Sequence, residues 1–131
     1  MSEKIARQWL EQSAETANSL DLNAHMNLIS RRVSLTGVAG HDNINYAGWY
    51  AQCEHEFANK VLKQVQYHGF KLIATTATRV MFKTHETVEG VDGTRNAQGV
   101  EVLLEKEDDG VWRLLQERVM PSDETAHDKL V

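Results

Sequence analysis

The stretch Gly99-Val100-Glu101-Val102-Leu103-Leu104-Glu105-Lys106, then Glu107-Asp108-Asp109-Gly110, then Val111-Trp112-Arg113-Leu114-Leu115-Gln116-Glu117-Arg118-Val119-Met120 decides how the chain is read. Two runs of β-branched and large apolar residues flank an Asp-Gly turn, which is the sequence signal of a β-hairpin. Side chains alternate along a strand, so Trp112, Leu114, Gln116 and Arg118 are expected on one face, with Val111, Arg113, Leu115, Glu117 and Val119 on the other. A face that begins with Trp and Leu and ends with Gln and Arg suits a sheet that curls round a core and opens at one end into a polar-rimmed hollow.

Working outward from the hairpin, the preceding segments also read as strands. Val65, Tyr67, Phe70, Leu72 and Ile73 begin a period-2 pattern, and Thr75 to Thr84 continues it with high β propensity. A polar connection from Glu86 to Gln98 leads into the hairpin. Pro121, the sole proline, ends the last strand, and 122–131 reads as an aperiodic polar tail, expected to be flexible.

The front half is helical. Residues 3–19 carry a thin stripe of Ile5, Trp9, Leu10, Ala14 and Ala17. Asp21 is placed to cap a short second helix running to about Ser30, and Val33 to Thr36 reads as a short strand. After a loop at Gly37 to Gly40, Asp42 is the expected cap of a long third helix from Asn43 to Leu62, with an apolar face of Ile44, Ala47, Trp49, Tyr50, Cys53, Phe57 and Leu62. Helices gathered at the front and strands at the back predict an α+β fold, one domain over 1–121, with a curved antiparallel sheet covered on one face by helices.

Composition sets the bounds. At 131 residues, 41% apolar and 25% charged, the chain is long enough for one core. A net charge of −5 and the lack of a basic patch argue against a nucleic-acid partner. No apolar run approaches the ~20 residues of a bilayer span. The N-terminal residues form no secretory apolar core, and the lone Cys53 allows no internal disulfide, so a cytoplasmic location is expected.

Three segments carry a family resemblance. They are Ser19-Leu20-Asp21-Leu22 through Ile29, Gly40-His41-Asp42-Asn43-Ile44 through Tyr50, and Asp109-Gly110-Val111-Trp112-Arg113-Leu114-Leu115. Their order and spacing resemble the nuclear transport factor 2-like superfamily, including its SnoaL-like and ketosteroid isomerase-like groups. The resemblance implies a cone: a strongly curved sheet wrapped around the long helix, two N-terminal helices, a pocket at the wide end and a homodimer formed through the outer sheet face. It also implies a small-molecule ligand, held without a cofactor. Isomerase-type members place an Asp base just after the first strand. This chain has Leu35-Thr36-Gly37-Val38-Ala39 there, so that machinery is not carried over.

Candidate site residues follow from these placements. His41, in the loop before the third helix, is the candidate for acid–base work, beside an Asp42 already explained as a cap. Tyr46, Trp49 and Tyr50 are candidates to line a pocket for a flat apolar molecule, with core packing as the competing role. Trp112, Gln116 and Arg118 complete the expected lining if their face is concave. On a convex face, Gln116 and Arg118 would meet solvent or a dimer partner. His25 is placed to reach the pocket or to be a satisfied buried histidine. The six histidines lack metal-ligand spacing, so no metal site is expected, and no phosphate-binding glycine loop is present. The reading is a domain that binds a small, largely apolar molecule with isomerase- or lyase-type chemistry; the alternative is a non-catalytic binding or dimerisation module.

Overall fold

The computed structural model describes residues 2–130. In chain order the elements are α1 (Ser2–Asn18), α2 (Leu22–Met26), β1 (Ile29–Thr36), α3 (Tyr46–Ala58), β2 (Leu62–Thr75), β3 (Arg79–Gly90), β4 (Arg95–Lys106), β5 (Trp112–Val119) and α4 (Ser122–His127). The five strands form one sheet in the order β1-β5-β4-β3-β2. Strands β2 to β5 are an antiparallel meander, and β1 joins the edge parallel to β5. The fold is therefore the expected α+β cone.

Local chemistry accounts for the elements. Asp21 caps α2 by accepting from the Ala24 N–H, as its position implied. That helix stops at Met26 rather than near Ser30, because Ile29 and Val33 are taken into β1, where both are buried. The third helix starts later than expected: Asn45, not Asp42, is its cap and accepts from the Gly48 N–H at 3.0 Å. At the hairpin, Gly110 takes a φ of 83°, and the Asp109 carboxylate accepts from the Val111 N–H.

The core lies between the concave sheet face and the helices. Val80, Phe82, Val100, Val102, Leu104 and Leu114 meet Ala6, Trp9 and Leu10 of α1, Met26 of α2 and Cys53 of α3. The Trp9 indole donates to the Leu28 carbonyl at 3.1 Å and ties α1 to the start of β1. Asn18 does the same at the other end of α1: its amide donates to the Val65 carbonyl and its oxygen accepts from the Val65 N–H. At 17 residues α1 is longer than the 13-residue α3, and it buries more of itself. The helix read as dominant, α3, fully buries only Cys53 and Phe57 and leaves Tyr46, Trp49 and Tyr50 partly covered.

Bulges bend the sheet and change which residues face inward. The β2–β3 register shifts three times, and Gly69, with φ of 73°, is the extra residue at the middle shift. In β5 the register slips between Leu103 and Leu104, which pair with Gln116 and Leu114, leaving Leu115 as the extra residue. Strict alternation fails there. Leu114 is fully buried on the concave face, but the next inward residue is Glu117, while Gln116 is exposed. The expected grouping of Gln116 and Arg118 with Trp112 and Leu114 is corrected accordingly.

The C-terminal residues also differ from expectation. Within the stretch read as an aperiodic tail, Ser122–His127 form α4 on the outer sheet face. Asp128 accepts from Lys71 at 2.7 Å and Lys83 at 2.8 Å, and Glu124 pairs with Arg118 at 2.6 Å. Leu130 is buried, and Gly99 lets Thr125 approach so closely that a Cβ there would lie 2.3 Å from its hydroxyl. Asp128 and Glu124 are matched to a row of cations on strands β2, β3 and β5.

Candidate functional site

Beneath α1 and α3, the concave face encloses a cavity of about 160 Å³. Trp9, Trp49, Phe57, Leu62, Val65 and Val88 form much of its apolar wall. Into that wall are set Tyr67 from β2, Glu86 from β3, Glu117 from β5, Glu56 from α3 and His25 from α2. Glu86 follows Val80, Phe82 and Thr84 at period two, and Glu117 is turned inward by the Leu115 bulge.

Glu117 is the unusual member. Its residue is 9% exposed, and its carboxyl finds no hydrogen bond or ion pair among the described residues. Burial, and then the nearby Glu86 charge, push it well above the ordinary carboxyl value. Glu86 is also raised by burial, but hydrogen bonding to Tyr67 and Gln98 offsets part of that, the Gln98 amide donating at 3.4 Å. The two carboxyls cannot both ionise cheaply at close range, so the better hydrogen-bonded Glu86 ionises first and Glu117 keeps its proton longer.

The surrounding groups are held in place. The Tyr67 hydroxyl and Ser13 Oγ lie 3.3 Å apart, and burial followed by the two glutamates raises the phenol. His25 Nδ1 lies 2.8 Å from Thr16 Oγ1, its ring packs on Phe57, and burial lowers its basicity. Burial, with help from Glu56, pushes the Cys53 thiol up to about 12, so at neutral pH it is a protonated wall residue and not a nucleophile. Glu56 is itself raised by burial.

The residues singled out from the sequence are distributed over several places. Trp49 lines the cavity. Tyr46 and Tyr50 lie on another side of α3, in a wider groove with Arg31. Trp112 packs against the core outside the cavity lining. Gln116 and Arg118 point to the outer face, where Arg118 pairs with Glu101 and Glu124. His41 sits exposed in the β1–α3 loop. Among the described residues, no group of three or more His, Cys, Asp or Glu side chains is arranged to hold a metal ion. Glu86, Glu117 and Tyr67 were missed as site residues. The period-two run from Val80 was a legible sign for Glu86, whereas Glu117 depends on the bulge.

A curved five-stranded sheet closed by helices over an internal hollow defines a nuclear transport factor 2-like, cystatin-like fold. Solved structures agree. A nuclear transport factor 2-like protein of unknown function from Shewanella oneidensis superposes with a TM-score of 0.76 at 16% identity, covering 91% of this chain and 98% of that one. A Nostoc punctiforme protein of unknown function with a cystatin-like fold gives 0.68 at 12% identity, covering 92% of each chain. A candidate scytalone dehydratase from Novosphingobium aromaticivorans gives 0.70 at 6% identity, covering 89% and 81%. No protein-family model matches the chain, and no curated protein matches it. Among the described residues, no helix is long and apolar enough to cross a membrane.

Proposed function

We propose that the protein encloses a small, largely apolar organic molecule in the cavity under α1 and α3 and moves a proton on it. The observation that carries this reading is the Glu117 carboxyl, buried without a partner and aimed into the hollow beside Glu86. Two carboxyls with environments that separate their proton affinities form an acid–base pair. Glu117, which holds its proton longer, donates to a ligand carbonyl or hydroxyl oxygen. Glu86, supported by Gln98 and Tyr67, takes a proton from carbon. Such a division suits isomerisation of an unsaturated carbonyl compound or elimination of water from a β-hydroxy one. The apolar walls exclude water and select a molecule of modest size, since 160 Å³ is the space of about five waters.

The test is deuterium wash-in from D2O, followed by proton NMR, on small β-hydroxy and unsaturated ketones. Protein purified without added ligand is examined by native mass spectrometry in parallel. Exchange by the wild type that falls about 100-fold or more in Glu117→Gln and Glu86→Gln, with folds intact, supports the reading. Exchange that survives both substitutions overturns it. So does a co-purified molecule retained equally by Glu117→Gln and by a cavity-filling Val88→Trp variant.

A further inference from the structure

On the far side of α3 from the cavity lies a second recess, of about 590 Å³, between α2, the start of β1 and the first turns of α3. Trp49, Cys53 and Glu56 face the cavity, whereas Tyr46 and Tyr50, one helical turn apart, face this recess. Met26 and Ile29, both buried in the core, lie behind its floor, and Asn23 adds an amide.

Three arginines border the recess, and two are paired with carboxylates. Arg113 donates to the Asn27 carbonyl at 2.8 Å, to the Asn27 side chain at 3.0 Å, and to Glu107 and Asp109 at 2.9 Å. Arg32 pairs with Glu105 and Glu107. Arg31 makes no ion pair among the described residues. Its guanidinium instead lies over the Tyr46 ring, 5.3 Å from the centroid. The Tyr46 and Tyr50 rings are 6.3 Å apart and inclined at 38°.

We propose that this recess binds a flat carboxylate, an aromatic or conjugated acid, at a site separate from the internal cavity. A guanidinium resting on a ring keeps its edge N–H groups free and in one plane, the arrangement that takes a carboxylate through two parallel hydrogen bonds. The contact with Tyr46 restricts Arg31 in advance, so less side-chain entropy is lost on binding. The two tyrosine rings receive the unsaturated body of the ligand. Arg32 and Arg113 keep Glu105, Glu107 and Asp109 neutralised, so these carboxylates do not repel an incoming anion.

The probe is sodium benzoate, followed by amide chemical shifts in 15N-labelled protein. Benzamide serves as the uncharged control and cyclohexanecarboxylate as the non-planar one. Saturable shifts at Asn23, Arg31, Tyr46 and Tyr50 are expected, weakened at least tenfold by Arg31→Gln and little affected by Glu117→Gln. Arg31→Lys retains charge without the planar fork and gives an intermediate loss. Tyr46→Leu removes the preference for benzoate over cyclohexanecarboxylate. No saturation by about 10 mM benzoate, equal binding of benzamide, indifference to Arg31→Gln, or shifts centred on Trp9, Trp49 and Phe57 would each overturn the proposal. The last outcome would assign the anion to the cavity, while failure of the cavity chemistry leaves this site unaffected.

Discussion

Glu117→Gln should make the protein more stable as the pH rises. Unfolded, Glu117 titrates near 4.5; folded, burial and the neighbouring Glu86 raise it. A group whose folded value is raised contributes stability that is complete below the unfolded value and is lost as pH rises through the folded value. Gln resembles the protonated acid in shape and stays neutral, so wild type and variant should be nearly equal at about pH 4.5. Above that, only the wild type must bury a charge. The residue is 9% exposed and has no cation beside its carboxyl, and an unpaired buried ion costs more than the ~1–3 kcal/mol of an unsatisfied neutral group. Space for a few waters softens that penalty. We therefore expect Glu117→Gln to gain about 2 kcal/mol over wild type as pH rises from about 4.5 through the raised folded value. With a urea slope of about 2 kcal/mol/M, the midpoint difference grows by about 1 M. The assay is urea unfolding at stepped pH on both proteins, which cancels the contributions of groups that do not sense Glu117. Parallel stability curves, or a variant that loses ground as pH rises, would mean that Glu117 does not bury a charge above pH 4.5.

Phe82→Ala removes a ring with 0% exposure at the centre of the concave face and should cost about 3–5 kcal/mol, read by urea or thermal unfolding. Gly99→Ala places a Cβ 2.3 Å from the Thr125 hydroxyl; a loss of about 1–3 kcal/mol and faster proteolysis after Pro121 are expected, with Thr125→Ala recovering much of both. Cys53, with its thiol held near 12, should resist iodoacetamide at about pH 8 in the native protein and react readily in urea, as mass spectrometry would show.

The parts of the fold legible in the sequence were those set by local chemistry. The Asp109-Gly110 turn, the Asp21 cap and the period-two runs of β3 and β4 identified strands, hairpin and second helix from residues a few positions apart. What escaped depended on distant partners. The Leu115 bulge is a choice of register between β4 and β5, and one extra residue turns Glu117 inward and Gln116 outward. Asp42 and Asn45 are both good caps, and only the bridge between Leu35 and Ile44, which extends the chain up to that point, decides for Asn45. The C-terminal acids resembled a solvated tail because Lys71, Lys83 and Arg118, which neutralise them, come together only in the folded sheet. The same distance hid the candidate site, since Tyr67, Glu86 and Glu117 come from three strands and share no motif.

The proposed chemistry depends on a carboxyl that lies buried and unpaired in the hollow of the cone. Carboxyl 13C NMR of Glu117, assigned by its loss in Glu117→Gln, measures this directly. Its titration midpoint should lie well above 4.5 and fall in a Glu86→Gln variant as the neighbouring charge is removed. A midpoint at or below 4.5, unchanged by Glu86→Gln, would contradict it.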